Sequence, residues 1–242
     1  MTLPPVSPLV TGVFNIARTK YHAEHGAWIK LSFVLSGRFN LPVASVSIQR
    51  QGDLDMLLRC LEDEFDAKKA AVESPENSVV HSQLMLSEAW VVGCYEILRA
   101  FRQRDDDALK AGVRPSGVSE MESFKSIFAD FEFLRMPMAK FEIAKDHKMK
   151  QPLRMQKFGE TNEVAPHFYD PKDPARYHIM PTGVGQRGSA VWQALDYLTN
   201  REYWIERRDL SERLLAMGNE IVPAGILEAQ ERAAQLKAPS ND

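Results

Sequence analysis

The residues of this chain with the means to do chemistry fall mainly in two stretches. In the first, 83–104, Glu88, Glu96 and Arg99 interrupt an otherwise apolar helical pattern. A charge removed from water costs several kcal/mol unless it is paired, so Glu96 is expected to bind Arg99 one turn later. Glu88 then needs a partner elsewhere or a cavity to face. In the second stretch, 135–157, Arg135, Lys140, Lys145, Lys148, Lys150, Arg154 and Lys157 stand against only Glu142 and Asp146. That local surplus of positive charge suits phosphate groups, with Phe141 and Phe158 available for stacking. The solvated face of a helix end accounts for the same charges. If the two stretches converged, Glu88, Glu96, Arg99, Arg135 and His147 would be the catalytic candidates, lining a polar cavity together with Lys140. Lys140, Lys145, Lys148, Lys150, Arg154 and Lys157 are the anion- or nucleic-acid-binding candidates.

Three shorter strings carry possible chemistry. Gly183-Val184-Gly185-Gln186-Arg187-Gly188 matches G-x-G-x-x-G. A dinucleotide fold needs a buried strand before the first glycine and further βα units after the last. The approach Arg176 to Pro181 is too polar and ends in proline, and the remaining chain is too short. A glycine-rich turn between strands at 177–181 and 189–195 is the expectation, with an anion held on its amides beside Arg187 as the alternative. His22, Glu24 and His25 form H-x-E-H, but a zinc site wants three or four ligands and no Cys or His stands at a usual spacing, so a surface pair is expected and no metal. Arg18 precedes His25 by seven residues, a spacing similar to that of the arginine–histidine pair in metal-independent RNases built on HEPN-type helical bundles. The likeness is confined to those two residues. In that family the pair lies late in a helical pair and faces a dimer cleft.

The elements that must position these groups read as mainly helical. Residues 28–49 resemble a β-hairpin, because Ile29, Leu31, Phe33 and Leu35 alternate with polar residues and Ala44, Val46 and Ile48 do the same; a buried helix fits 27–35 as well. A helix follows on Leu54, Leu57, Leu58, Leu61 and Phe65, capped by Asp53 and stopped at Ser74-Pro75. Its acidic run Glu62, Asp63, Glu64, Asp66 reads as a solvated face, since Glu64 precedes Lys68 and Asp55 precedes Arg59 by one turn. The central helix 83–104 carries the stripe Leu86, Trp90, Gly93, Ile97, Ala100, with apolar residues on its other faces as well. After an exposed connection at 104–117, Ser119 and Glu122 make a capping box for a helix burying Phe124, Ile127, Phe128, Phe131 and Leu134; Pro137 should break or kink it before a second piece at 138–149. Residues 151–181 suggest irregular chain wrapping the helices. Asp209 or Ser211 can cap a helix ending before Gly218, and Pro223 can open a last one to Lys237, ahead of a flexible tail at 238–242.

Composition bounds the rest. With 242 residues, 44% hydrophobic and 26% charged, the chain can bury one substantial core, and 1–242 is read as a single domain. A formal charge of −3 argues against wholesale coating of nucleic acid or anionic membrane. Cys60 and Cys94 fall in helical patterns and read as buried thiols of a reduced, cytoplasmic protein. The start has prolines and no basic residue before an apolar run, unlike a targeting peptide, and no apolar run approaches a membrane span. The expected fold is therefore a mainly α, single-domain bundle around helix 83–104 with one or two peripheral β-hairpins. The expected role is that of a non-enzymatic binding or regulatory module, self-associating or bound to a protein or phosphate-bearing partner. An enzyme acting on a phosphorylated or nucleic-acid substrate is the alternative, and no cofactor is implied.

Overall fold

The computed structural model describes residues 5–71, 77–155, 167–199 and 201–221. Helices dominate: α1 Val6–Lys20, α2 His22–Arg38, α3 Ala44–Ala70, α4 Asn77–Lys110, α5 Glu122–Lys140 and a further helix, α6, over 207–221. Two small antiparallel sheets complete the fold, one pairing β1 Leu153–Met155 with β2 His167–Tyr169, the other ordering β3 Thr182–Val184, β4 Ala190–Asp196 and β5 Arg201–Glu206. This is a mainly α protein with peripheral hairpins.

The hairpin expected at 28–49 is instead the α2–α3 helix pair. Alternation would place Phe33 on the same buried face as Leu31 and Leu35, yet Phe33 is exposed while Trp28, Leu31, Leu35 and Phe39 are buried. Those four follow spacings of three and four, the helical period. Ser32 does not need a solvent-facing strand edge, because it donates its hydroxyl to the Ile29 carbonyl at 2.6 Å. Asn40, at φ 46°, and Pro42 make the corner between the two helices. Helix α3 consequently starts at Ala44, well before Asp53, and Gly52 lets the Trp28 ring lie directly against its backbone.

Helix α4 packs on one side rather than all round. Its buried line runs Gln83, Ser87, Trp90, Val91, Cys94, Leu98, Phe101 and Asp105, with Leu86 and Ile97 partly covered and Ala100 exposed. Trp90 and Phe101 anchor it: Trp90 meets Trp28 edge-on and tilts against Phe131, and Phe101 stacks on Phe39 at 4.4 Å between centroids. The helix continues to Lys110, so 104–110 is not connection. Asp105 is buried and accepts hydrogen bonds from the Ser116 amide and hydroxyl and from the Ser119 hydroxyl, fastening the following loop to α4. Ser119 is thereby committed to Asp105 and caps nothing; α5 begins after Met121 without a side-chain cap.

Pro137 does not break α5. It lies in the last turn, where only the Phe133 carbonyl loses a helical donor, and the helix ends instead on Phe141 in the left-handed conformation (φ 55°), whose amide returns to the Pro137 carbonyl. The piece expected at 138–149 is therefore the end of α5, a turn, and a single 3-10 turn at Asp146–Lys148. In 151–181 the described residues are irregular apart from β1 and β2. The strand expected at 177–181 is irregular and the first one lies at 182–184, so Gly183 and Val184 belong to β3 and the rest of the glycine-rich string forms the β3–β4 turn: the Gly185 amide donates to the Ser189 carbonyl at 2.7 Å, and Gly188 adopts φ 71° where it crosses α3. A β-carbon at Gly188 would overlap the Glu62 carbonyl, so a close approach, not a phosphate, requires this glycine. Along β4, Ala190, Trp192 and Ala194 turn inward while their neighbours are partly exposed. Helix α6 starts at 207, two residues ahead of Asp209, and continues through Gly218, against which a methyl group of Leu31 of α2 is seated. The helix expected after Pro223 and the tail 238–242 lie outside the described residues.

Candidate functional site

Below the α3–α6 contact lies a layer of charge inside the core. Asp55, Arg59, Glu62 and Arg207 are all buried, and α3 supplies three of them at positions 55, 59 and 62, one turn apart. Arg207 donates Nε and Nη2 to the Glu62 carboxylate at 2.6 and 2.8 Å and Nη1 to Asp55. Asp55 also accepts from Arg59 at 3.0 Å and from the Trp28 indole at 2.9 Å. Ser189 donates to Glu62 at 2.7 Å and Ser211 accepts from Arg59 at 2.9 Å. The Arg207 guanidinium also lies over the Trp90 ring, 5.3 Å from its centroid. Burial alone would push the Asp55 carboxyl up, but Arg207 and Arg59 hold it below its ordinary value. At the rim, Arg208 reaches Asp63 at 3.2 Å and the Tyr21 hydroxyl at 3.3 Å; burial, then the bond to Asp63, pushes Tyr21 up to about 12. Two carboxylates and two guanidiniums thus cancel within this layer, which leaves no spare charge for a ligand and makes the cluster a clasp closing α6 and the β3–β4 turn onto α3. The acidic run is accordingly not a solvated face throughout: Glu64 and Asp66 are exposed, Asp63 is partly covered and Glu62 is fully buried.

Three of the candidates on α4 and α5, Glu96, Arg99 and Arg135, form a surface cluster. Arg99 binds Glu96 at 2.8 Å as expected, but on the outside of the helix, and Arg135 reaches the same carboxylate at 3.2 Å while lying over Tyr95. Glu88 stands two turns earlier; its carboxyl is raised by partial burial and drawn back by His81. His147 is exposed on the 3-10 turn. In the basic segment, Lys145 is taken up by Glu132 at 3.1 Å and by the Phe133 ring, and both Glu142 and Asp146 are held by Arg176. Lys140, Lys148, Lys150 and Arg154 are exposed; Lys157 and Phe158 lie outside the described residues. Arg187 of the glycine-rich turn binds Glu206, Asp209 and Glu212. Those three carboxylates compete with any anion for it. Cys60 and Cys94 are buried free thiols.

Arg18 and His25 share a neighbour, Asp53. From either side of the α1–α2 corner at Tyr21 they reach one carboxylate: Arg18 binds Asp53 through two hydrogen bonds of 2.7 and 2.6 Å, and His25 Nε2 stands 3.9 Å from it. Arg18 and Asp53 line a cleft of about 470 Å³ between α1 and α3, with Val10, Phe14, Asn15, Arg50 and Leu54 among its other walls. Spacing brought Arg18 and His25 to notice; Asp53, 35 residues away, is visible only in the fold.

The most unusual surface belongs to α1. Val6, Leu9, Val10, Val13 and Ile16 are 70, 55, 48, 45 and 66% exposed, and Ala17 is the helix's buried residue. Apart from its C-terminal Arg18 and Lys20 the helix carries no charge, and both cations are bound inside the chain, by Asp53 and Asp63. No helix among the described residues is long and apolar enough to cross a membrane. Compared with known proteins, the chain matches no family model, no curated protein and no solved structure.

Proposed function

We propose that this chain is a non-enzymatic binding module whose contact surface for another protein is the outer face of α1. The observation that carries the reading is that face itself: Val6, Leu9, Val13 and Ile16, four aliphatic side chains within three turns, each about half exposed or more. Contiguous apolar surface of this kind marks contact sites in soluble proteins. The charge distribution supports it as well, since the buried ionic layer is neutral within itself and Glu96, Arg99 and Arg135 are paired with one another on the surface. A photo-cross-linking residue placed at Val13 in living cells tests it. A discrete cross-linked product, lost when Leu9→Glu is added, is the expected result; no product at Val13 contradicts the reading.

A second reading draws on the meeting of Arg18, His25 and Asp53 beside an open cleft. A histidine close to a carboxylate can move a proton, and Arg50 in the cleft wall can face a phosphodiester, so this cleft is the place for the enzymatic alternative on a nucleic-acid substrate. Cleavage of labelled RNA without added metal, abolished by His25→Ala and by Arg50→Ala, is its test. Intact RNA after prolonged incubation with the purified chain removes it.

A further inference from the structure

We infer that a second cleft, between the α2–α3 corner and the end of α4 with the loop that follows it, binds a phosphorylated small molecule; the inference does not depend on the reading of α1. The cleft measures about 610 Å³, within the size range of small-molecule sites. Three arginines from three separate segments line it: Arg38 in the last turn of α2, Arg104 on α4 and Arg114 in the loop. Cations gathered in one concavity repel one another and focus a positive field on whatever enters, so an anion seated among them is favoured.

Two of these arginines have no carboxylate. Arg104 donates Nε to the Phe39 carbonyl at 2.6 Å and Nη2 to the Asn40 carbonyl at 3.1 Å, which fixes the guanidinium at the end of α2. Carbonyls carry only partial charge, and among the described residues Arg104 forms no ion pair and its Nη1 has no partner. Arg114 is exposed and has neither a hydrogen bond nor an ion pair among the described residues. The two acids in the same walls are already occupied. Buried Asp105 accepts from the amides and hydroxyls of Ser116 and Ser119, and Asp107 meets Lys110 at 3.5 Å. The bonds from Ser116 also tie the loop to α4 two residues beyond Arg114, which holds that arginine at the cleft.

Phosphate is the anion these groups suit. A guanidinium matches two oxygens of a phosphate at once, and a phosphomonoester carries close to two charges at neutral pH where a carboxylate carries one. The other walls include Phe39, Leu41, Ala108, Val113 and Pro115. That apolar lining selects an organic phosphate with an apolar or aromatic body over inorganic phosphate.

Titration of the full chain with phenyl phosphate, followed by NMR on the backbone amides, is the test. Saturable shifts at 38–41, 104–105 and 113–116 are expected, with a dissociation constant below about 1 mM at low salt. Inorganic phosphate should bind more weakly and phenol not at all. Arg104 holds the end of α2, so its replacement disturbs the fold; Arg114→Gln removes a side chain with no bond to lose, and Val113→Glu sets a carboxylate at a position 59% exposed. Both variants should keep the melting temperature and lose affinity for phenyl phosphate roughly tenfold. No shifts with phenyl phosphate, shifts confined to other parts of the chain, or an affinity unchanged in both variants overturns the inference. Phenol binding as tightly as phenyl phosphate overturns the role of the arginines, and inorganic phosphate binding as tightly overturns the organic ligand.

Discussion

Replacing Glu62 by glutamine tests whether the buried charge layer holds the fold closed. The side chain is fully buried and accepts hydrogen bonds from Arg207 at 2.6 and 2.8 Å and from Ser189 at 2.7 Å. Glutamine keeps the shape and one acceptor oxygen, but removes the charge and points an amide donor at the Arg207 guanidinium. Arg207 is then left fully buried with Asp55 as its remaining anion, and Asp55 is shared with Arg59. Breaking one partner of a buried ion pair costs about 3–5 kcal/mol, a large part of the 5–15 kcal/mol by which a domain is stable. At about 2–4 °C per kcal/mol for a protein of this size, Glu62→Gln should lower the melting temperature by roughly 6–20 °C. Arg207→Met alone should do comparable harm by leaving Glu62 unpaired, whereas Glu62→Leu combined with Arg207→Met should recover most of the loss, since an apolar replacement of both partners removes the desolvation penalty with the attraction. Thermal unfolding followed by circular dichroism measures all three. A fall of less than about 1 kcal/mol in Glu62→Gln, or a double variant no better than the singles, refutes the reasoning.

Gly188→Ala should destabilise by roughly 2–4 kcal/mol, from left-handed strain at φ 71° and overlap with the Glu62 carbonyl; urea denaturation with an unchanged midpoint would contradict this. Acid should weaken the fold through Asp55, whose carboxyl, despite burial, lies below its ordinary 3.8. Between the folded and unfolded values only the unfolded chain takes up the proton, so this contribution is present above pH 4 or so and lost as the pH falls further, as a stability-against-pH series would record. His178, buried and lowered by that burial, carries the same sign at higher pH: stability should decline as the pH drops below 6.5, and His178→Gln should flatten that slope. If labelled single-stranded RNA binds at all, Lys148→Gln with Lys150→Gln should reduce the salt slope by roughly one to two units at about 0.7 per contact, while Lys145→Gln should leave it unchanged because Glu132 already holds that lysine; equal effects at the three positions would remove the distinction.

Helix positions were legible wherever burial and local period agree, as in the Leu54 to Phe65 pattern, the centre of α4 and the aromatic face of α5. The α2–α3 pair is hidden in the sequence because Lys30 and Ser32, alternating with Ile29, Leu31 and Phe33, imitate a two-residue period, and only tertiary burial separates exposed Phe33 from its neighbours. Pro137 was over-weighted because a proline in the last turn removes a single hydrogen bond. The charge layer was illegible for a different reason. Asp55 and Arg59 do form the one-turn pair that spacing suggests, but Arg207 comes from 145 residues beyond Glu62, and nothing local distinguishes a buried acidic run from a solvated one. A faint signal existed, in that positions 52, 55, 59 and 62 continue the inward line of Ile48. The apolar stripe of α1 was present in the spacing of Val6, Leu9, Val13 and Ile16, yet such a stripe normally faces its own core. Its exposure is a property of the fold.

The cross-link at Val13 tests most directly whether α1 is a contact surface rather than an idle edge. The account predicts a discrete product that Leu9→Glu abolishes while the melting temperature of the chain stays the same. No product at Val13, in a chain that folds normally, would contradict it.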